Sequence, residues 1–397
     1  MNAIAPDHAS RISRFAIARP AYAMSQAATL DWLARAHTEA ETRAGGLCSE
    51  ADAASFKHSL GKLLGRVACG PAQLAERGYE VRDCGHAEWD QMEIYDVHRD
   101  PRGAGTGART ALFARASLAA FERLYADRDE DPPQDLIHVT CTGYASPSAA
   151  QRLVALRDWG SRTRVTHAYH MGCYAALPAV RIASGLLASG LLAAERRPQR
   201  VDVVHTEVCS LHLQPRQHGA EQLVVQSLFA DGHVRYAVER SRSDHPCLAL
   251  LSDREVILPD CVDSMGWTSG DHGMQMSLAR DVPSKISGGV RGFVDSLFAD
   301  AGLALAAHRA RTVFAVHPGG PRIIDAVQQA LELRDDQVQA SREVLRKFGN
   351  MSSATLPHVW RAIIADERVD PGTLVASLAF GPGLTVSGSL MVRENPP

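Results

Sequence analysis

A layered α/β architecture in two similarly built halves is what this sequence predicts, and three observations predict it. Short β-rich runs alternate with helix-patterned segments along most of the chain, the order that folds into sheets covered by helices. Hydrophobic residues make up 45% and charged residues 22%, the mix of a globular chain with a sizeable core. After a stretch at 241–252 rich in Arg, Ser, Asp and Pro the alternation starts afresh, although no sequence repeat accompanies it. With 397 residues there is room for two units, and we divide the chain at 1–245 and 246–397.

The elements follow in order. Residues 1–25 are polar and weakly patterned, a loose arm or a first strand. Helical spacing follows over 29–42 and 53–64. Residues 136–140 form a short β-rich run behind the turn signal Asp131-Pro132-Pro133. A helix is expected over 148–156, a strand over 165–169, and a helix over 175–187, where Ala179, Ile182, Ala183, Leu186 and Leu187 recur at helical period. A strand over 201–204 extends towards Leu213. In the second half, 312–316 reads as a strand. Residues 322–333 form a helix with Ile323, Ile324, Val327 and Leu331 on one stripe, and Leu356, Val359, Trp360, Ile363 and Ile364 form another such stripe. Two β-like segments, 373–380 and 384–392, close the chain around a Gly-Pro-Gly turn.

Composition excludes several classes. A net charge of −3 gives no electrostatic case for nucleic acid as a partner. The eight cysteines contain no CxxC pair and a chain of this size needs no disulfide staples, so a reducing, cytoplasmic setting is expected. Zinc-finger spacing and HExxH are absent, so no metal site is expected. Residues 1–25 carry no continuous apolar leader, and the low-charge stretch 182–194 is too short to span a bilayer. Gly103-Ala104-Gly105-Thr106-Gly107 opens a helix but lacks the third glycine and the preceding strand of a dinucleotide fingerprint. Gly61-Lys62 has Phe56 where a phosphate loop needs its first glycine, and no GxSxG elbow exists.

Three segments bear chemistry. In Val165-Thr166-His167-Ala168-Tyr169-His170-Met171-Gly172-Cys173, a strand runs into a glycine, a cysteine follows, and an apolar helix begins. Cys173 then sits at a helix N-terminus, whose dipole and free N–H groups lower a thiol pKa; the bland alternative is a buried structural cysteine. His317 ends a strand just before Pro318-Gly319-Gly320-Pro321, at the strand end where α/β proteins bind ligands; alone it could be an ordinary loop histidine. Asn350, in Phe348-Gly349-Asn350-Met351-Ser352-Ser353-Ala354, precedes a helix, where an asparagine commonly caps.

Taken together, Gly172-Cys173, His317-Pro-Gly-Gly-Pro, Gly349-Asn350-Met-Ser-Ser-Ala and Phe380-Gly381-Pro382-Gly383-Leu384-Thr385 resemble the motifs of the type III polyketide synthases, the chalcone-synthase-like branch of the thiolase fold. The resemblance covers roughly 50–392 and implies a thiolase-like α/β fold, two pseudo-symmetric βαβαβ halves in a five-layer αβαβα arrangement. It implies a homodimer with no metal or organic cofactor, CoA thioesters being the substrates. Cys173 is implied as the nucleophile that takes a starter from acyl-CoA. His317 would sustain the thiolate and help decarboxylate malonyl-CoA, and Asn350 would join it in holding the developing oxyanion. The implied cavity residues are Phe229, Met276, Cys141, Thr142, Cys209, Leu211, Ser352 and the turn Gly381, Pro382, Gly383.

The sequence departs from the plant members in places. Met276 stands where they carry a second gatekeeper ring, and a thioether chain leaves a more adaptable passage. Their basic CoA-docking residues are only partly matched, by Lys62 and, as a substitute, Lys57. Cys141 lies at a cavity threonine position. Cys209-Ser210-Leu211-His212, on a cavity-lining strand, is similar to bacterial members that make alkylresorcinols and alkylpyrones from fatty acyl starters. A fatty acyl starter is therefore expected. The alternative is a ketoacyl synthase III-like enzyme that performs one condensation, with acyl-CoA or an acyl-carrier protein as donor.

Overall fold

The computed structural model describes residues 9–189, 198–240 and 244–396. Its strands, in chain order, are β1 (Arg11–Ala18), β2 (Tyr22–Ser25), β3 (Glu76–Tyr79), β4 (Asp135–Thr140), β5 (Arg164–Tyr169), β6 (Arg200–Glu207), β7 (Gly232–Glu239), β8 (Cys247–Ile257), β9 (Met265–Gly270), β10 (Gly273–Leu278), β11 (Val313–Val316), β12 (Leu374–Gly381) and β13 (Thr385–Glu394). Nine of them form one mixed sheet in the order β11-β12-β13-β8-β1-β7-β6-β4-β5. β4 runs parallel to β5 and β6, and β11 parallel to β12; the other pairs are antiparallel. Among the described residues, the strands of the two halves meet only where β1 pairs with β8, through Arg11↔Ala249 and Ile12↔Leu248.

The pleat sorts side chains into layers. On β12, Leu374, Ala376, Leu378 and Phe380 face one core while Val375 and Ala379 face another, the two-residue alternation of a strand buried on both sides. The first core is closed by the helices Val282–Asp300 and Pro321–Leu331. The second holds the helices Ala176–Ala188 and Thr355–Ala365, packed at once against Ile137 and Val203 of one half and Ala315 and Val375 of the other. A third core covers the far face of the first half, where Leu136 and Val204 meet Phe121, Tyr125 and Leu153. The layers thus run helix, sheet, helix, sheet, helix, the five-layer thiolase-like α/β arrangement.

Local chemistry sets the helix ends. Ser148 and Gln151 close a capping box on Ala149–Leu156. Pro321 opens Pro321–Leu331, whose Ile324, Val327 and Leu331 are buried. One expectation needs correction and one open reading is decided. Of the loose arm or first strand read for the polar N-terminal run, the strand is found: β1 lies in the middle of the sheet. Arg11 is fully buried with Nε 2.8 Å from Glu394, and Ser13 donates to Glu239 at 2.5 Å. The strand over 201–204 does not continue towards Leu213; β6 ends at Glu207, and Cys209–His212 is a tight 3-10 turn. The expected helix over 175–187 is observed, whereas the end of the low-charge stretch 182–194 lies outside the described residues beyond 189.

Candidate active site

The Cys173 elbow is built by backbone geometry. β5 ends at Tyr169, and both His170 (φ 62°) and Gly172 (φ 79°) take left-handed conformations that swing the chain back towards the sheet. A Cβ on Gly172 would lie 2.8 Å from Cδ of Pro382, so glycine lets the elbow close on the Gly381-Pro382-Gly383 turn. Cys173 is half-buried, in a turn just before the helix Ala176–Ala188.

His317 directly follows β11, and its N–H donates to the Leu378 carbonyl at 2.7 Å. Its imidazole is 1% exposed, and neither ring nitrogen makes a hydrogen bond among the described residues. Burial pushes its pKa down to about 3, so the ring is neutral and has both nitrogens free for a reacting group. Asn350 is locked from both sides. Its N–H donates to Leu228 at 3.0 Å and its carbonyl accepts from Ala230 at 2.9 Å. Its side-chain Oδ1 accepts from the Ser352 N–H at 3.0 Å. Its Nδ2 reaches the Gly319 carbonyl at 3.5 Å, tying this loop to the turn after His317.

The Cys173 thiol is not acidified by its surroundings. Burial pushes Cys173 up to about 12, side-chain hydrogen bonding to Ser352 and Asn350 pulls it down, and the Glu207 carboxylate raises it again. The helix end alone therefore does not make the thiolate that its position leads one to expect: desolvation outweighs it. Ser352 Oγ lies 3.0 Å from Cys141 Sγ and 3.7 Å from Cys173 Sγ, so one hydroxyl serves two thiols. Cys141 is driven well above the ordinary thiol value by burial and then by Glu207.

Glu207 was not singled out in the sequence. It is fully buried at the end of β6 and accepts from Thr142 Oγ1 at 2.8 Å, the Cys141 N–H at 3.1 Å and Ser353 Oγ. Burial raises its pKa. A second acid, after Asp202, closing a strand with apolar Val201, Val203 and Val204 was the available signal, since a buried acid must find several donors.

Beside the thiol lies a cavity with about 360 Å³ of empty space, part of it continuous with solvent. Of the expected cavity residues, Cys141, Thr142, Cys209, Phe229, Met276, Ser352 and Pro382 line it together with Cys173, and among the described residues no charged side chain does. Leu211, Gly381 and Gly383 do not line it: Leu211 is fully buried in the core beneath the 3-10 turn, and Gly381 packs under the Tyr174 ring. Phe229 caps the helix Ala220–Leu228 and bridges to Asn350. Sequence reasoning missed the β9–β10 hairpin, which supplies Met265, Gly266 and Trp267 to the lining. Trp267 is held by donating Nε1 to the Cys141 carbonyl at 2.7 Å, and it sits directly across the hairpin from Met276.

Lys57 and Lys62 lie on the helix Glu50–Val67 away from this lining, and Lys57 pairs with Asp31 at 3.7 Å. The helix that Gly103–Gly107 opens starts at Thr106, whose N–H donates to the Asp271 carbonyl at 2.8 Å, so its end is covered by the hairpin turn. Among the described residues no group of three His, Cys, Asp or Glu side chains could hold a metal, and no helix is long and apolar enough to cross a membrane.

Residues 249–395 match the family model of the chalcone and stilbene synthases, C-terminal domain. The chain is similar to the Probable polyketide synthase 1 of Dictyostelium discoideum, 30% identical over 261 residues, 64% of this chain and 8% of that protein. It is 29% identical to Type III polyketide synthase C of Arabidopsis thaliana over 264 residues, 64% of this chain and 66% of that protein. The match therefore spans less than two thirds of either relative. The fold is shared with the C-terminal type III polyketide synthase domain of Steely1, a type I/III hybrid from Dictyostelium, at a TM-score of 0.79 and 23% identity, covering 98% of this chain and 100% of that one. It is equally shared with PKS-I of the brown alga Ectocarpus siliculosus, at a TM-score of 0.79 and 21% identity, covering 97% and 98%. Residues 249–395 therefore carry a chalcone and stilbene synthase C-terminal domain, and the chain is similar in sequence to type III polyketide synthases and shares their fold.

Proposed function

We propose that this protein is an acyl-transferring polyketide synthase that loads an acyl starter from a CoA thioester onto Cys173. It then extends the starter with malonyl-CoA by decarboxylative condensation and cyclises the chain to an alkylresorcinol or alkylpyrone. The observation that carries this reading is that Cys173 and Ser352 face one cavity with no charged lining residue, Asn350 hydrogen-bonds to Cys173 without lining that cavity itself, and neutral His317 precedes the Gly319 carbonyl that Asn350 contacts. Burial disfavours a free imidazolium, so His317, whose ring nitrogens make no hydrogen bond, takes the thiol proton only in concert with the attack of the sulfur. The Cys173 sulfur attacks the acyl carbonyl, the CoA thiolate leaves, and the proton passes to it. Decarboxylation of malonyl-CoA yields an enolate, and N–H donors from Asn350 and His317 suit the oxygen where its charge collects. No metal or organic cofactor is needed for these steps.

The uncharged lining supports an apolar starter tail, and two methionines in it adapt to a flexible chain. Each methylene buried there contributes roughly 0.8 kcal/mol, so longer acyl chains gain affinity until the cavity is full. Competing acyl-CoA chain lengths in one assay with labelled malonyl-CoA tests the reading. The native protein should favour medium or long chains. Met276→Phe sets a ring opposite Trp267, and such a pair stiffens the wall, so this variant should lose the preference. Acceptance of only short or aromatic starters by the native protein would refute the fatty acyl assignment. A product carrying a single extension would favour the ketoacyl synthase III-like alternative, with acyl-CoA or an acyl-carrier protein as donor.

We further propose a cytoplasmic homodimer, divided at 245/246 into a half carrying Cys173 and a half carrying His317 and Asn350. Free thiols at all eight cysteines support the compartment. β5 supports the dimer: it pairs only with β4 among the described strands and leaves Arg164 and His167 exposed along a sheet edge. Sedimentation at micromolar concentration should give twice the chain mass.

A further inference from the structure

A second cavity, with about 420 Å³ of empty space partly continuous with solvent, lies behind the Asn350 loop. Its walls are Ile17, Ala18, Pro20, Phe348 and Met351, and its mouth carries Arg19 and Tyr22. The floor is unusual. His358, on the central helix Thr355–Ala365, is 3% exposed and lines the cavity. Its Nδ1 lies 2.8 Å from the Ala354 carbonyl. A carbonyl can only accept, so Nδ1 carries the hydrogen and Nε2 must be a bare acceptor. Among the described residues nothing donates to Nε2. Burial holds the ring neutral, with its pKa near 4, so it remains an acceptor at neutral pH.

The other polar groups narrow the ligand. Asp231 also lines the cavity, but its oxygens accept from the Ser210 N–H at 2.7 Å, Ser210 Oγ at 2.5 Å and the Glu80 N–H at 2.6 Å. At the mouth, Lys347 lies 3.8 Å from Glu343, and Glu76 is exposed. Arg19 makes no ion pair among the described residues and lies over the Phe348 ring, 5.7 Å from its centroid. A bare acceptor at the bottom asks for a hydroxyl, apolar walls for a flat hydrocarbon body, and an uncommitted guanidinium at the mouth for an anion. We propose that this cavity binds a hydroxyaryl carboxylate, with its hydroxyl donating to His358 Nε2 and its carboxylate on Arg19.

The probe is 4-hydroxyphenylacetate, titrated calorimetrically into the full chain, native and with Cys173 alkylated by iodoacetamide. One saturable site per chain, unchanged by alkylation, is expected. Phenylacetate, which lacks the hydroxyl, should bind roughly ten-fold or more weaker, because its apolar edge would cover Nε2 without offering it a donor. Arg19→Ala should weaken the hydroxylated probe several-fold and leave the fold intact, its side chain being exposed. No saturable binding, loss of binding on alkylation, equal affinity for the two acids, or indifference to Arg19→Ala would each overturn the proposal. The phenylacetate comparison needs no variant, so it stands even if substitutions at the buried His358 unfold the central helix.

Discussion

Cys173→Ala should abolish both acyl-enzyme formation and product, a loss on the order of 10⁴-fold or more, as for the removal of other covalent nucleophiles. Cys141→Ala should still accept an acyl group. The two thiols share Ser352 and the same cavity, so proximity does not separate them. Burial and charge do. Cys141 is 4% exposed, with its sulfur 3.7 Å from the Glu207 carboxylate, which opposes a thiolate there. Cys173 is half-buried on its glycine elbow, with side-chain hydrogen bonding from Ser352 and Asn350 to ease ionisation. Peptide mapping after incubation with an acyl-CoA decides the matter; acyl mass on Cys141 in the native protein would refute the assignment.

The candidate catalytic residues were legible in the sequence because each is punctuated locally. Glycine precedes Cys173, Pro-Gly-Gly-Pro follows His317, and Gly349 precedes Asn350 at φ 75°, with Leu228 and Ala230 too close for a ready side chain. What was illegible depends on distant partners. An arm and a strand both stayed open for β1 because its Arg11 and Ser13 are polar; their partners Glu394 and Glu239 lie more than 200 residues away and make burial tolerable. The β9–β10 hairpin is rich in glycine and serine, so no apolar pattern announced it, yet it presents Trp267 and Met276 to the cavity. Helix-end logic predicted an acidic Cys173, since chain order shows the helix but not how deeply the thiol is desolvated. The same blindness hid Glu207, which shapes both thiols only because folding brings β6 under the Ser352 loop.

Asn350→Ala should slow malonyl-CoA decarboxylation by about 10²–10³, the usual cost of one oxyanion donor. That variant also removes an acceptor: Oδ1 holds the Ser352 N–H at 3.0 Å and lies 3.4 Å from the Thr355 hydroxyl. A slow Asn350→Ala could therefore reflect a displaced Ser352 rather than a missing donor. Asn350→Asp separates the two. Aspartate keeps both acceptor contacts, and the backbone bonds to Leu228 and Ala230 do not depend on the side chain. It loses only the N–H donor and puts a negative charge where the enolate charge would collect. Asn350→Asp should thus melt close to the native protein and yet release carbon dioxide from malonyl-CoA at least as slowly as Asn350→Ala. Decarboxylation near the native rate in Asn350→Asp would remove Asn350 from the chemistry and leave it as a loop anchor for Ser352.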